Sequence, residues 1–318
     1  MSTPEITVVI TAYNRRDFLE GAINSVLNQT LDRDKFEVII VKNYSDEVSD
    51  NIIRKNGLKQ IVMEGEIGKY LFAAVQASRG RVVSFLDDDD KFEKNKLEVV
   101  YDKFTNEDDL VYLHNGATFM SDEGKVLNIK NNHPDFNLSS ISVRKDLLNL
   151  PLIDKIEAGQ DTFFYYMCRD TEGKVKSIDA RLTLYTRHES RSSWSDFDED
   201  LSKIIKEHTH WIKTMMFLYE RIKKPELKKE LHHVVTWNKI KLKILSNLNG
   251  NNIDDFELRI SALDVVRFII YPKKSILINF LGFHLFIICL WHNFPNIVKK
   301  QVNSTQVRHI SFASVYWP

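Results

Sequence analysis

Residues 82–90 read Val82-Val83-Ser84-Phe85-Leu86 followed directly by Asp87-Asp88-Asp89-Asp90. An apolar run this short, preceded by Gly80 and followed by charge, predicts a buried strand of an α/β sheet. Ligands of such folds bind at the carboxyl ends of the strands. Four adjacent anions repel one another, and a hard divalent cation with oxygen ligands would relieve that repulsion. The alternative is an acidic turn that only caps the next helix, predicted from Lys94 to Phe104.

The size and composition of the chain indicate a globular protein. Its 318 residues, 43% of them hydrophobic, are enough for one large domain or two modest ones. The 44 basic and 44 acidic residues balance, so net charge gives no argument for a nucleic-acid partner. The two cysteines, Cys168 and Cys289, fit a reducing compartment rather than a disulfide framework. The first residues lack the pattern of a signal peptide, so we expect a cytoplasmic location.

The first third of the chain alternates strands with helices. The predicted strands are Ile6–Thr11, Glu37–Val41, Gln60–Met63 and Val82–Leu86. Apolar residues at helical spacing separate them, and Ser45 is the predicted N-cap of the second helix. This βαβαβαβ order requires a parallel sheet with right-handed crossovers.

The pattern changes after Phe104 to shorter strands of mixed direction. The predicted strands are Leu110–Leu113, Gly116–Met120, Lys125–Ile129, Lys174–Ile178 and Leu182–Thr186. Asp161 begins an aromatic-rich helix among them, and the chain reads as helical from Asp198 onward. We therefore predict an α/β fold whose mostly parallel sheet carries appended mixed strands and a C-terminal helical extension.

The most apolar part of the chain lies between Ile276 and Trp291 and is flanked by lysine pairs. As a helix it would be about 24 Å long at ~1.5 Å per residue. It is shorter than the ~20 apolar residues that a membrane span usually needs. Either it is a buried helix of a C-terminal bundle, or it lies on a membrane surface with its lysines against anionic lipid. The second interpretation predicts that deleting residues after Lys273 moves the protein from the membrane pellet to the supernatant.

The first predicted strand ends in Thr11-Ala12-Tyr13-Asn14-Arg15, which lacks the glycine spacing of a dinucleotide-binding turn or a P-loop. Its amides, with Tyr13 and Arg15, could hold a nucleotide, or the segment could be an ordinary turn. Together with Ser25–Thr30, Glu37–Val41 and Phe85–Asp90, it resembles the motifs of family 2 glycosyltransferases in order and spacing. The resemblance covers roughly residues 5 to 190. It implies a GT-A fold, a nucleotide-sugar donor, a divalent metal and inversion at the anomeric carbon.

The resemblance also implies domains and residue roles. Residues 1–195 would form the catalytic domain, with a nucleotide-sugar-binding half at 1–105 and an acceptor-binding half at 106–195, and 196–318 would form the helical region. The implied donor-binding residues are Thr11, Tyr13, Arg15, Asn43, Lys69, Asp87 and Asp88. Asp89 would be the metal ligand for Mn²⁺ or Mg²⁺, and His188 a second ligand that suits Mn²⁺ better. Lys69 could equally lie on a solvated helix face, and a lone histidine such as His188 is more often a hydrogen-bonding residue of the surface or core.

Asp161 is the implied catalytic base. The segment Ala158–Asp161 resembles the family's Gly-Glu-Asp segment, although Gln160 replaces the usual glutamate. The chemistry needs a carboxylate that takes the proton of the acceptor hydroxyl as this attacks the anomeric carbon opposite the leaving diphosphate. The structural alternative for Asp161 is a helix cap.

Two departures from the family pattern leave alternatives open. Asn43 stands where an acidic residue often reads uracil, and Lys42 reverses a charge, so the donor nucleotide is undetermined. The expected acceptor is a glycan, a lipid-linked sugar or polyprenyl phosphate. One alternative is a non-catalytic nucleotide-sugar-binding or scaffold module on a degenerate transferase fold. A sugar nucleotidyltransferase is disfavoured because no glycine-rich loop follows the first strand.

Overall fold

The computed structural model describes residues 3–121, 123–127, 137–187 and 201–248. The chain divides into two compact units, Met1–Arg191 with Lys213–Lys228, and Ser192–Ile212 with Lys229–Pro318. The first unit contains the sheet, and the described part of the second is helical. The predicted domain boundary at residue 195 stays a prediction.

One sheet organises the first unit, with eight strands among the described residues. They are β1 Ile6–Ala12, β2 Phe36–Lys42, β3 Lys59–Val62, β4 Val82–Asp87, β5 Lys91–Phe92, β6 Leu110–Ser121, β7 Ile141–Arg144 and β8 Lys174–Arg187. Their spatial order is β3-β2-β1-β4-β7-β6-β8-β5. The pairs among β1 to β4 and the β6–β8 pair are parallel, while β4–β7, β6–β7 and β5–β8 are antiparallel. This arrangement confirms the predicted α/β fold with appended mixed strands.

Eight α-helices connect or follow these strands in the described ranges. They are α1 Leu19–Leu27, α2 Glu47–Lys55, α3 Ile67–Ala77, α4 Lys96–Asn106, α5 Leu150–Ile153, α6 Gln160–Arg169, α7 Leu201–Tyr219 and α8 Pro225–Leu248. Helix α1 buries Leu19, Ile23 and Val26 in the same apolar cluster as Val8 and Ile10 of β1. Strands β1 and β4 are buried almost throughout, as expected for central parallel strands covered on both faces.

Gly80 lies where the chain enters β4 beside β1. A Cβ atom at this position would lie 2.5 Å from the backbone nitrogen of Thr7, closer than real Cβ contacts allow. The glycine is therefore required by the close approach of two backbones rather than by an unusual dihedral angle. It lets β4 begin in register with β1, which brings Thr11 opposite Asp87 at the other end of the pair.

Several elements differ from their predicted bounds. The strand pairs predicted at 110–120 and at 174–186 are the single strands β6 and β8, because their parallel pairing continues across register shifts near Gly116. Strand β7 was not predicted, since its four residues carry too short a pattern. Within the predicted strand Lys125–Ile129, Val126 forms only an isolated bridge, and residues 128 and 129 lie outside the described ranges. Ser45 was wrong as the cap of α2.

The N-cap of α2 is Asp46, whose carboxylate accepts hydrogen bonds from the amides of Val48 at 3.2 Å and Ser49 at 3.1 Å. A carboxylate also interacts favourably with the positive end of the helix. The predicted helical region is present in α7 and α8. The apolar segment Ile276–Trp291 lies outside the described residues. Within the ranges that the structure describes, no helix combines the length and apolar character needed to cross a bilayer.

Candidate active site

The four aspartates lie where β4 ends, at the carboxyl edge of the parallel strands. The Thr11 hydroxyl of β1 donates to Asp87 Oδ1 at 3.1 Å, and the Asp88 amide donates to the Thr11 carbonyl at 3.1 Å. The Asp87 amide donates to the hydroxyl of Ser139, 3.0 Å away, in the 3₁₀ turn Leu138–Ser140. The acidic run is thus held by β1 on one side and by a segment distant in sequence on the other.

Three of the four carboxylates converge. Oxygen atoms of Asp87, Asp89 and Asp90 all lie within 4.8 Å of one another. Asp90 is buried, and its Oδ1 accepts from the amide of Thr186 at 3.0 Å. Its Oδ2 is also buried and has no hydrogen-bond partner among the described residues. A buried carboxylate oxygen without a partner is costly, so this donor set fits a hard cation such as Mg²⁺ or Mn²⁺.

Burial shifts the ionisation of the acidic run. It raises the pKa of Asp87 to about 7, and repulsion from Asp89 contributes to that rise. Burial also raises the pKa of Asp88 to about 8, a rise that the contact with Arg15 reduces without cancelling. The pKa of Asp90 is well above its ordinary value for the same reason, with further repulsion from Asp89. The cluster therefore favours an added positive charge, whether from protons or from a cation.

Arg15 makes direct contact with the acidic run. Its Nη1 donates to Asp89 Oδ2 at 2.5 Å, and its Nη2 pairs with Asp88 Oδ1. Burial lowers the pKa of the guanidinium, but the carboxylates of Asp89 and Asp88 more than offset this and raise it. The predicted nucleotide-binding arginine is therefore a charged partner of two of the aspartates.

A fully buried lysine lies beneath the cluster. The Lys96 side chain is fully buried, and its ammonium donates to the Ser139 carbonyl and, at 3.1 Å, to the Thr183 hydroxyl. Burial lowers its pKa well below the ordinary value, while the charge of Asp90 raises it. No local pattern marks this residue, because a lysine at the start of a helix usually faces solvent. Asp90 was likewise left without an assigned role.

The loops after β1 and β2 are joined beside the aspartates. The Asn14 amide donates to Asn43 Oδ1 at 2.9 Å, and Asn43 Nδ2 donates to Asn14 Oδ1 at 2.7 Å. Asn14 adopts a left-handed conformation with φ of 58°, which asparagine tolerates better than most residues. Tyr13, 53% exposed, lies edge-on to Tyr70 with ring centroids 6.2 Å apart. An exposed aromatic ring and an amide edge thus lie together at the strand ends.

Lys42 and Lys69 have different surroundings. Lys42 is buried, and its ammonium donates to Ser49 Oγ at 2.9 Å and Asp50 Oδ1 at 2.6 Å, so its charge is neutralised between β2 and α2. Lys69 is exposed on α3, with its aliphatic chain over Gly65. Its role at the donor stays a prediction. His188 lies outside the described residues.

Asp161 lies in the first turn of α6. Gly159, with φ of 72°, is the N-cap, so Asp161 is inside the helix rather than at its cap. Asp161 Oδ1 accepts from the Thr162 amide at 2.6 Å and from the Thr162 hydroxyl at 3.3 Å. Burial raises the pKa of Asp161 to about 6, although the bonds from Thr162 lower it. Phe164 of α6 stacks on Phe85 of β4 with ring centroids 4.8 Å apart, so α6 contacts the strand that leads into the acidic run. The charge of Asp161 is a minor cause of the raised pKa of Asp87.

Solved structures with a similar fold were found. One is TarS 1-349 from S. aureus in complex with UDP, with a TM-score of 0.55, 15% identity and coverage of 82% of this chain and 77% of that chain. Another is the mannosyltransferase PcManGT from Pyrobaculum calidifontis in complex with GDP-Man and Mn²⁺, with a TM-score of 0.52, 13% identity and coverage of 83% and 78%. These similarities confirm the GT-A fold.

Sequence relatives were also found. EpsH of Bacillus subtilis (strain 168), named as a glycosyltransferase, is 30% identical over 133 residues. That alignment covers 40% of this chain and 38% of EpsH, so the chain spans about two fifths of that relative. The family model described as Glycosyl transferase family 2 matches residues 7–169, just over half of the chain, and includes both the acidic run and Asp161. The chain belongs to glycosyl transferase family 2.

Proposed function

We propose that this protein transfers a sugar from a nucleotide-sugar donor to an acceptor hydroxyl by direct displacement, with inversion at the anomeric carbon. One observation carries the proposal. Three carboxylates converge at the carboxyl end of β4, and α6, which holds Asp161 in its first turn, contacts that strand through the stacked rings of Phe164 and Phe85. An inverting displacement needs these two features together, a charge-stabilising site for the leaving diphosphate and a base for the incoming hydroxyl.

The donor would bind across the ends of β1, β2 and β4. Tyr13 would contact the nucleobase, together with the second N–H and the second oxygen lone pair that Asn43 keeps beyond its bonds to Asn14, and Arg15 would contact phosphate oxygens. Asp89, with Asp87 and Asp90, would hold the cation. A bound Mn²⁺ or Mg²⁺ would offset the negative charge that develops on the diphosphate as the sugar leaves. The Mn²⁺ of PcManGT supports this assignment of the cation.

Asp161 would act as the general base. Thr162 holds Oδ1 through two hydrogen bonds, which orients the carboxylate and leaves Oδ2 to receive the acceptor proton. Because burial raises the pKa of Asp161 to about 6, the carboxylate is a stronger base than an exposed aspartate and is still mostly ionised near neutral pH. The Glu157 amide donates to the Thr214 hydroxyl at 3.0 Å, which anchors the segment that leads into α6.

The donor class is supported by the ligands of the similar structures. UDP in TarS and GDP-Man in PcManGT support a nucleoside-diphosphate sugar as the donor class. Beyond its two bonds to Asn14, Asn43 keeps one amide N–H and one oxygen lone pair, so it is compatible with either uracil or guanine. The acceptor that we propose is a hydroxyl of a glycan or a lipid-linked sugar.

A donor screen followed by turnover measurements tests the proposal. The wild type, Asp89→Asn, Asp161→Asn and the exposed control Asp102→Asn are first compared by thermal shift with UDP- and GDP-sugars in Mn²⁺ or Mg²⁺. Donor hydrolysis and transfer are then measured. Asp89→Asn should lose the cation-dependent stabilisation by the donor, and Asp161→Asn should keep it but lose turnover by about 10²-fold or more. Asp102→Asn should match the wild type.

Two outcomes would contradict the assignment. Full turnover by Asp161→Asn would exclude this residue as the base. A folded wild type that binds a donor but turns over none of those tested would favour the non-catalytic binding module instead.

A further inference from the structure

The Arg15 guanidinium spans two different environments. Its Nη2 pairs with Asp88, whose side chain has no exposed surface and which is not one of the three converging carboxylates. Its Nη1 donates to Asp89, whose side chain is 12% exposed and which belongs to that triad. Arg15 therefore joins a buried anion to one of the proposed cation ligands.

The backbone of Arg15 is restrained while its side chain reaches the surface. The preceding residue, Asn14, is bonded to Asn43 through two hydrogen bonds. The Arg15 side chain is itself 22% exposed. The Asp88 side chain is fully buried, whereas that of Asp89 is partly exposed. Of the two contacts that the guanidinium makes, the contact with Asp89 is therefore the one that can exchange partners.

We propose that Arg15 competes with the divalent cation for Asp89 and couples cation binding to diphosphate binding. This inference rests on the proposed function, because it needs the cation at Asp89. When the cation occupies Asp89, the contact between Nη1 and Asp89 is replaced while Nη2 keeps Asp88. Nη1 would then exchange Asp89 for an oxygen of the diphosphate, which a guanidinium binds well because its planar fork matches phosphate oxygens. Cation and nucleoside diphosphate should therefore each strengthen the binding of the other, by the same factor.

Competition between Arg15 and the cation predicts opposite effects of an Arg15 variant on two binding affinities. Removing Arg15 should strengthen the binding of the cation alone, because Asp89 loses its internal counter-charge. The same change should weaken the binding of a nucleoside diphosphate when the cation is present. A purely structural role for Arg15 would weaken both or change neither.

Mn²⁺ titrations monitored by the EPR signal of free Mn²⁺ test this, together with calorimetric titrations of UDP and GDP with and without Mn²⁺. Arg15→Met keeps the length of the side chain and removes the charge. We expect it to bind Mn²⁺ alone about tenfold more tightly than the wild type, the size expected for losing one charged hydrogen bond. We also expect its UDP and GDP affinities in Mn²⁺ to fall. Arg15→Lys, with one charge but no fork, should be intermediate, and it decides the question if Arg15→Met fails to fold.

The matched control is Arg16→Met, since the Arg16 guanidinium lies over the Tyr44 ring, 5.2 Å from its centroid. It should bind Mn²⁺ like the wild type. If both Arg15 variants bind Mn²⁺ no more tightly than the wild type, while Asp89→Asn still loses Mn²⁺ binding, Arg15 does not compete with the cation. That result would leave the proposed cation site in place. If neither the wild type nor any Arg15 variant binds Mn²⁺, or if Asp89→Asn binds it as well as the wild type, both the proposed cation site and the competition fail.

Discussion

Asp161 should control the pH dependence of sugar transfer. Burial raises its pKa to about 6, and a base accepts a proton only in its ionised form. Because the pKa is raised, the protonated and inactive form of Asp161 persists to a higher pH than it would for an exposed aspartate. With a pKa near 6, about 90% of Asp161 is ionised at pH ~7 and only about 10% at pH ~5. We therefore expect kcat to fall about tenfold over that interval and to level off above it.

Thr162→Val changes this profile in a defined direction. The variant removes the 3.3 Å hydrogen bond from the Thr162 hydroxyl to Asp161 Oδ1 but retains the 2.6 Å bond from the backbone amide. The hydroxyl bond lowers the pKa of Asp161, so its loss should raise the midpoint of the profile. A long hydrogen bond of this kind corresponds to roughly 0.3 to 1 pH unit. Valine preserves the shape of this buried side chain.

The assay is an initial-rate profile of kcat between pH about 5 and about 8, at saturating cation and a donor that the screen identifies. Donor affinity is measured at each pH, because Asp87 and Asp88 also titrate near neutrality and affect binding. Thr162→Val should move the kcat midpoint and leave the pH dependence of donor affinity in place. A flat kcat profile in the wild type, or a midpoint that moves down in Thr162→Val, would refute the assignment of Asp161.

Three further predictions concern the acidic cluster and its support. Asp90→Asn should weaken Mn²⁺ binding by at least about tenfold in an EPR titration, and unchanged affinity would exclude Asp90 as a ligand. Lys96→Met leaves a buried carbonyl and hydroxyl without their ammonium donor and should lower the free energy of unfolding in urea by about 1–3 kcal/mol, whereas exposed Lys94→Met should not. Gly80→Ala, whose Cβ would lie 2.5 Å from a β1 backbone nitrogen, should cost about 2 kcal/mol or more in thermal denaturation. Gly57→Ala, with φ of 60° and open space around it, should cost about 1 kcal/mol, and the reverse order of these two glycine variants would contradict the steric argument.

The parallel half of the fold was predictable from local pattern. Strands β1, β2 and β4 are continuous β-branched or apolar runs, and the helices between them repeat apolar residues at helical spacing. The second half was less predictable, because β6 and β8 each continue through a register shift that only their mutual pairing spans. Strand β7 has too few residues to show a period and is defined by its neighbours β4 and β6.

The sequence by itself determined that an acidic run follows β4 at the carboxyl edge of the sheet, because a buried strand and the charges after it are a local pattern. Only the tertiary structure decided which aspartates converge. The Asp87 and Asp90 carboxylates accept from Thr11 and Thr186, which are far away in the chain, while Asp88 turns to Arg15. The direction of a side chain in a non-repeating loop depends on such long-range contacts, and no local period encodes them.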